Sequence, residues 1–182
     1  DFDLVITTPQ YGLPPGENVL ELPLPLAGRP QADMAGFAQW QAAWRDLPRP
    51  LVGVAVGSSK YPLRFEANEQ EELARLLNLE LAPGGSVLLI ASPRTAHEAV
   101  PRMAAMLKVP HLAYSPFERG GNPYAAALML CDRLVVTGDS ASMIADALRA
   151  SKPVDVFRLP VSQGRMAWSA RRGLGRLLSR HG

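Results

Sequence analysis

From Leu51 onward, short runs of apolar residues alternate with segments of helical periodicity. Two such runs are residues 51–57 and 86–92, and three shorter ones follow at residues 111–115, 134–137 and 154–158. Strands of continuous apolar character are buried on both faces, as they are in parallel sheets covered by helices. Right-handed crossovers then give one architecture. The pattern therefore predicts an α/β fold, a Rossmann-like doubly wound parallel sheet.

Helical periodicity fills the intervals between these strands. The predicted helices are residues 66–79, 95–107, 122–130, 140–150 and 165–180. Side chains suited to helix N-termini begin three of them, namely Thr95, Asn122 and Ser140. Apolar faces are expected to pack on the sheet: Leu73, Leu76 and Leu77 in the first helix, and Met143, Ile144, Ala147 and Leu148 in the fourth.

Composition restricts the class of protein. At 182 residues, with 47% hydrophobic and 20% charged residues, the chain is long enough for a core on both faces of a sheet. No apolar run approaches the roughly 20 residues of a membrane-spanning helix. The net charge of +2 gives no indication of a nucleic-acid partner. The single cysteine, Cys131, is expected to be a buried thiol, which fits a reducing, cytoplasmic location.

Residues after the predicted strands indicate the ligand chemistry, because such sheets bind ligands outside the carboxyl ends of their strands. After the strand over residues 51–57 come Ser58, Ser59 and Lys60, and Gly57 lets the backbone approach a diphosphate closely. Arg94 follows the next strand. Lys60 and Arg94 either contact an anion or are simply exposed to solvent.

A third strand end leads through Gly121 and Asn122 into a predicted helix. Tyr124 lies in its first turn, where the ring either stacks on a base or belongs to the core. These residues are predicted to lie at the same edge of the sheet as those that follow the first two strands.

The fourth strand end is the most informative. A helix N-terminus binds phosphate through its unpaired N–H groups and its dipole. Asp146, two turns along, lies at a distance from which a carboxylate reaches a ribose hydroxyl. The alternative is an ordinary strand-to-helix unit in which Ser140 is the N-cap. The predicted contact residues here are Gly138, Asp139, Ser140, Ser142, Met143 and Asp146.

Four strand ends with glycine, hydroxyl or basic groups converge on one edge, which predicts an anionic or nucleotide ligand. Other chemistries fit poorly. No GxSxG motif is present, and the histidines have no metal-ligand spacing with Cys131, so no metal is expected. The glutamates of the helix over residues 66–79 are predicted to be solvated rather than catalytic: Glu69, Glu71 and Glu72.

Several strings of the sequence resemble the mitochondrial fission ELM family of bacteria and plants. They are Gly-Ser-Ser-Lys at 57–60, Ser-Pro-Arg-Thr at 92–95, Gly-Asn-Pro-Tyr at 121–124, Val-Thr-Gly-Asp-Ser-Ala-Ser-Met-Ile at 136–144 and Lys-Pro-Val at 152–154. The opening residues also resemble the segment that joins the two halves of that family. Bacterial members are often described as nucleoside-diphosphate-sugar epimerases or as glycosyltransferase-like proteins.

The resemblance implies the C-terminal half of a GT-B-like architecture. Residues 1–50 would be a linking segment and residues 51–182 a Rossmann-like nucleotide-sugar-binding domain, with an N-terminal domain preceding Asp1. The implied function is transfer of a sugar from a nucleoside-diphosphate-sugar donor, with no further cofactor required. Carried over by position, Gly57, Ser58, Ser59 and Lys60 line the diphosphate site, Asp139, Ser140 and Ser142 present the helix terminus, Asp146 meets the ribose, and Asn122 and Tyr124 flank the donor.

Three positions depart from the family pattern. Val56 stands where the family usually has a first glycine, and Pro93 replaces the first of two arginines. Asp146 stands where glutamate is usual. These departures lower the affinity that we expect for a diphosphate.

The end of the chain is basic. From Arg165 onward it contains five arginines and no acidic residue. As a helix it places Ala167, Ala170, Leu174, Leu177 and Leu178 on one face, and Arg165, Arg172, Arg176 and Arg180 on the other. Such a helix either packs against a protein domain or lies on an anionic membrane.

A non-catalytic scaffold is therefore the alternative function. It would associate with a membrane as the fission name suggests, peripheral to the bacterial inner membrane, with a relic Rossmann-like domain. An NAD-dependent epimerase is disfavoured, because neither GxGxxG nor a Tyr-x-x-x-Lys pair is present.

Overall fold

A parallel sheet forms the centre of the computed structural model, which describes residues 2–26, 34–116 and 121–162. In chain order the elements are β1 Val5–Thr7, β2 Val19–Glu21, α1 Met34–Trp44, β3 Leu51–Val56, α2 Ala67–Glu80, β4 Ser86–Ala91, α3 Ala99–Met106, β5 His111–Tyr114, α4 Tyr124–Leu130, β6 Arg133–Thr137, α5 Ala141–Arg149 and β7 Val154–Phe157. No helix of these described ranges is long and apolar enough to cross a membrane.

The main sheet has five strands in the order β5-β4-β3-β6-β7, and every neighbouring pair is parallel. The chain adds β4 and β5 on one side of β3, then returns to place β6 and β7 on the other side. The direction of winding therefore reverses between β3 and β6. This arrangement confirms the predicted doubly wound α/β fold.

Each face of the sheet has its own core. The central strand β3 is buried along its whole length, as its continuous apolar run predicts. Val52, Val54 and Val56 pack with α2 and α3 on one face. Leu51 and Ala55 pack with α1, α4 and α5 on the other. The helices thus cover both faces and leave the ends of the strands to the loops.

The first fifty residues contribute to this core. Trp44 in α1 is buried, and its Nε1 donates a hydrogen bond of 2.8 Å to the hydroxyl of Tyr114 in β5. Trp40 packs edge-on against the same tyrosine ring. Strands β1 and β2 form a separate parallel pair, with Val5 opposite Val19. Helix α1 is therefore part of the sheet domain, although it lies within the predicted linking segment.

The helix predicted over residues 95–107 begins later than expected. Helix α3 begins at Ala99, and Thr95 is not its N-cap. The Thr95 hydroxyl instead donates to the carbonyl of Val56 at 2.7 Å and accepts from the N–H of Ser92 at 2.8 Å. These bonds hold the end of β4 against the end of β3, so the hydroxyl is used in a turn rather than in a helix cap.

Three side chains lie elsewhere than predicted. Leu148 is 52% exposed and Leu76 is 37% exposed, because α5 and α2 bury their neighbours Ala147 and Leu77 instead. Glu69 is not solvated, since its carboxylate accepts from the N–H of Glu66 at 2.9 Å and caps α2. The helix predicted over residues 165–180 lies outside the described residues.

Candidate functional site

The carboxyl ends of the parallel strands lie along one edge of the sheet, which we call the rim. The loop of residues 57–65 leaves β3 there, and residues 138–140 leave the adjacent strand β6. Helices α4 and α5 return in the opposite direction, so their N-termini also lie at the rim. All predicted contact residues therefore lie on one edge, except Met143 and Asp146, which follow within α5.

A hydrogen-bonded clamp joins the ends of β3 and β6. Asp139 accepts from the N–H of Ser58 at 2.7 Å through one carboxylate oxygen. The other oxygen accepts from the hydroxyl of Thr137 at 2.7 Å. Thr137 in turn accepts from the N–H of Gly57 at 2.8 Å. Both carboxylate oxygens of Asp139 therefore accept hydrogen bonds from within the protein.

Gly57 is required by this clamp. A Cβ atom built at Gly57 would lie 2.2 Å from Oδ1 of Asp139, closer than any real side chain tolerates. The sequence suggested that this glycine makes room for a ligand phosphate. In the structure it makes room for a carboxylate. The N–H of Ser58 is likewise occupied, so Gly57 and Ser58 shape the rim.

Ser140 is the N-cap of α5. Its hydroxyl accepts from the N–H of Met143 at 3.4 Å, and the side chain is almost fully buried. The hydroxyl of the exposed Ser142 lies 3.2 Å from that of Ser140. Backbone N–H groups in the first turn of a helix have no intrahelical acceptor. The start of α5 therefore combines such groups with a hydroxyl at the surface.

Two cations lie in the rim loops that follow β3 and β4. Lys60 is exposed, and its loop is folded by Ser59, whose hydroxyl accepts from the N–H of Phe65 at 3.1 Å. Arg94 is also exposed, and its N–H donates to the hydroxyl of Ser92 at 3.2 Å. Ser59 therefore acts within its loop, while the two charged side chains reach solvent.

The start of α4 completes the rim. Gly121 has a left-handed backbone with φ +86°, and the side-chain oxygen of Asn122 accepts from the N–H of Tyr124 at 2.9 Å. The Tyr124 hydroxyl donates to Asp146 at 3.4 Å and so connects α4 with α5. Tyr124 is half-buried, with its ring against the core and its hydroxyl on this carboxylate.

Burial changes the ionisation of this pair. It raises the pKa of the Tyr124 hydroxyl, and the negative charge of Asp146 adds to the effect. Burial also raises the pKa of Asp146, although the hydrogen bond from Tyr124 opposes the shift. A carboxyl held at such a cost is a feature of functional sites as well as of structural ones.

Replacing this carboxyl gives a pH-dependent prediction. Because the folded-state pKa of Asp146 is raised, its charged form costs stability above that pKa and costs nothing below the unfolded value of 3.8. We expect Asp146→Asn, whose amide oxygen still accepts from Tyr124, to unfold at higher urea concentration than the parent chain at neutral pH. The gain should vanish towards pH 3. The exposed Asp46→Asn is the control, and an equal gain there would contradict the assignment.

Thr137 and Thr95 were not predicted as rim residues, yet they hold its three strand ends together. Thr137 is the last residue of β6, in Val-Val-Thr-Gly, and Thr95 follows β4 within the first four residues, in Ser-Pro-Arg-Thr. That position is the signal that could have indicated their role. Within the part of the chain that the structure describes, no three histidine, cysteine or acidic side chains are grouped to hold a metal ion. Cys131 is fully buried, and burial raises the pKa of its thiol to about 12.

Comparison with known proteins identifies relatives. A family model described as Mitochondrial fission ELM1 matches residues 1–174. The Mitochondrial fission protein ELM1 of Arabidopsis thaliana is 32% identical over 147 residues, which are 79% of this chain and 34% of that protein. The chain therefore spans about a third of the length of this curated relative.

Similarity to solved structures is more remote. POFUT1 in complex with GDP aligns with a TM-score of 0.47 and 12% identity, covering 77% of this chain and 54% of that one. The universal stress protein from Archaeoglobus fulgidus in complex with dAMP aligns with a TM-score of 0.35 and 20% identity, covering 60% and 96%. Neither alignment is close enough to transfer a ligand.

Proposed function

The chain belongs to the mitochondrial fission ELM1 family, and we propose that its rim binds a nucleoside-diphosphate sugar as the donor domain of a GT-B-like glycosyltransferase. The observation that carries the proposal is that the α5 N-terminus and the loops carrying Lys60 and Arg94 all lie at the rim, where the sheet reverses its winding between β3 and β6. Doubly wound sheets bind their ligands in the crevice at such a reversal. In a GT-B-like architecture a second Rossmann-like domain would supply the acceptor side.

The phosphates would contact the start of α5 away from Asp139. The Asp139 carboxylate already accepts from Ser58 and Thr137, and its charge would repel a phosphate placed against Gly57. The exposed hydroxyl of Ser142 and the N–H groups in the first turn of α5 would then bind the phosphates. Lys60 and Arg94 would balance the charge that develops on the leaving diphosphate. No metal is needed for this role.

The sugar-nucleoside part would lie towards α4. Asp146 is half-buried and its hydrogen-bond donor is Tyr124, whose helix begins at the rim. The bond from Tyr124 is long at 3.4 Å, so the carboxylate can still accept a shorter hydrogen bond from a ribose hydroxyl. Asn122 and Gly121 would flank the donor as the loop that enters α4.

A thermal-shift panel of nucleoside-diphosphate sugars tests the proposal. A donor at about 100 times its Kd stabilises the chain by about 2.7 kcal/mol, which for this size raises Tm by about 5–10 °C. We expect Lys60→Ala to remove at least about half of that shift, since a charge-assisted contact contributes about 1.5–3 kcal/mol. Lys108→Ala is the matched control, because Lys108 is an exposed lysine at the opposite edge of the sheet.

The absence of any shift across the panel would contradict the proposal. The second candidate, a non-catalytic scaffold, is favoured by the fission-protein name of the curated relative and by the basic residues 165–182. Sedimentation of the chain with anionic vesicles, together with no nucleotide effect, would support that candidate.

A further inference from the structure

Strands β1 and β2 form a small parallel sheet with one apolar face exposed to solvent. Within β1, Val5 is half-buried and Thr7 is buried, whereas Ile6 between them is 46% exposed. Leu20 lies opposite Ile6 in the register and therefore on the same face, and it is also 46% exposed. Leu4, two residues before Ile6, is 56% exposed. Parallel sheets are normally buried on both faces, so this face lacks the element that would cover it.

The connection between β1 and β2 does not supply that element. Parallel strands are usually joined by a crossover that contains an α-helix, as α2 joins β3 to β4 and α5 joins β6 to β7. Residues 8–18, which join β1 to β2, contain only a short 3₁₀ helix at Pro9–Tyr11. Leu13 in this connection is itself exposed. A helix that covers the face would therefore come from outside the β1–β2 unit.

The charges around the exposed face are all negative. Residues 2–26 contain no lysine, arginine or histidine, and their acidic residues Asp3, Glu17 and Glu21 are all exposed. Asp3 and Glu17 precede the two strands, and Glu21 ends β2. None of the three forms an ion pair within the described ranges. Complementary charge at an interface thus requires lysine or arginine on the partner.

The same charges argue against two other occupants. Face-to-face packing of two β1–β2 units would bring the carboxylates of both copies together with no cation between them, and like charges at an interface are unfavourable. An anionic membrane surface would repel the carboxylates in the same way. A helix whose apolar stripe is bordered by basic side chains suits both the apolar face and its charges.

We propose that the exposed face of β1 and β2 docks an amphipathic helix of a partner protein, with lysine or arginine on both sides of the apolar stripe. The helix would cover Leu4, Ile6 and Leu20 as the crossover helices cover the main sheet. This surface contains none of the rim residues, so the proposal does not depend on the ligand that binds the rim.

Two designed peptides test this proposal by NMR on the full, isotope-labelled chain. One is an amphipathic leucine–lysine peptide of about 18 residues, long enough to be helical. The other has glutamate in place of every lysine. We expect the leucine–lysine peptide to shift the amides of residues 4–8 and 17–22. The leucine–glutamate peptide should bind at least about tenfold more weakly, because its charges repel the carboxylates.

Apolar variants make the test specific to this face. Ile6→Ser with Leu20→Ser should weaken binding of the leucine–lysine peptide at least about tenfold, because two apolar contacts are lost. Leu79→Ser with Leu148→Ser changes two exposed leucines of α2 and α5 and should leave the affinity unchanged. The amide spectrum of the main sheet reports whether each variant is folded.

Charge variants test the chemistry of the partner. Glu17→Gln with Glu21→Gln should weaken the leucine–lysine peptide about threefold to tenfold, as expected for the loss of two surface ion pairs. Glu71→Gln with Glu98→Gln removes two charges at exposed positions elsewhere and should have no effect.

Absence of shifts at residues 4–8 and 17–22 would overturn the proposal, and so would equal affinities of the two peptides. Shifts of these residues that change on dilution of the free chain would assign the face to a second copy instead. Sedimentation with phosphatidylcholine vesicles that is lost in the Ile6→Ser, Leu20→Ser chain, without peptide binding, would assign the face to a membrane.

Discussion

Asp139→Ala is expected to lower the free energy of unfolding by about 3 kcal/mol, which corresponds to a fall in Tm of about 6–12 °C. The substitution removes the acceptor of two short hydrogen bonds, from the N–H of Ser58 and from the hydroxyl of Thr137. Thr137 is fully buried, so its hydroxyl cannot turn to water. Urea unfolding followed by tryptophan fluorescence measures the change.

Matched variants separate the clamp from a general effect of losing a charge. Asp46→Ala, at an exposed position, should change stability by less than about 0.5 kcal/mol. Thr137→Val, which keeps the shape of the side chain, should destabilise in the same direction as Asp139→Ala because it leaves the N–H of Gly57 without its acceptor. Wild-type stability in Asp139→Ala would show that the clamp does not hold the rim.

Gly57→Ala is expected to lower the free energy of unfolding by about 2–3 kcal/mol, as overpacking of a filled site does. The added methyl group would lie 2.2 Å from one carboxylate oxygen of Asp139 and 2.3 Å from the other. The carboxylate cannot yield without breaking its bonds to Ser58 and Thr137. The same urea series measures the loss.

A double-mutant cycle identifies the cause. In the Asp139→Ala background the clash is gone, so Gly57→Ala should cost less than about 1 kcal/mol, and the coupling should exceed about 1 kcal/mol. In the Asp139→Asn background the obstructing group has the same size, and the full cost should return. Additive effects of Gly57→Ala and Asp139→Ala would refute the contact.

The cycle also distinguishes two roles for this glycine. If Gly57 served only to admit a phosphate, Gly57→Ala would weaken ligand binding and leave the stability of the free chain unchanged. The clamp predicts instead that Gly57→Ala lowers the stability of the free chain. Ligand binding then weakens only as a consequence, because the strand ends at the rim are no longer held together.

The sheet was predictable because its strands are buried on both faces. Each appears in the sequence as an uninterrupted apolar run, such as Leu51 to Val56, and the intervals have helical periodicity. The position of the rim followed from the same pattern, since parallel strands end at one edge. Ser140 was expected as a cap of α5, and the structure places it there.

The partners of rim side chains were not predictable, because they depend on contacts between distant parts of the chain. Ser58 and Asp139 are separated by 81 positions and meet only because β6 lies beside β3. Thr95 resembled a helix cap, but the nearby carbonyl of Val56 takes its hydroxyl.

A titration of the isotope-labelled chain with UDP- and GDP-sugars, followed by NMR, tests most directly whether the rim binds a nucleoside diphosphate. We expect the amide shifts to concentrate at residues 58–60, 94–95, 121–122, 124 and 140–143. Residues 82–85 and 108–110, at the opposite edge of the sheet, should remain unchanged. Shifts confined to that opposite edge, or a spectrum unaltered at millimolar ligand, would contradict it.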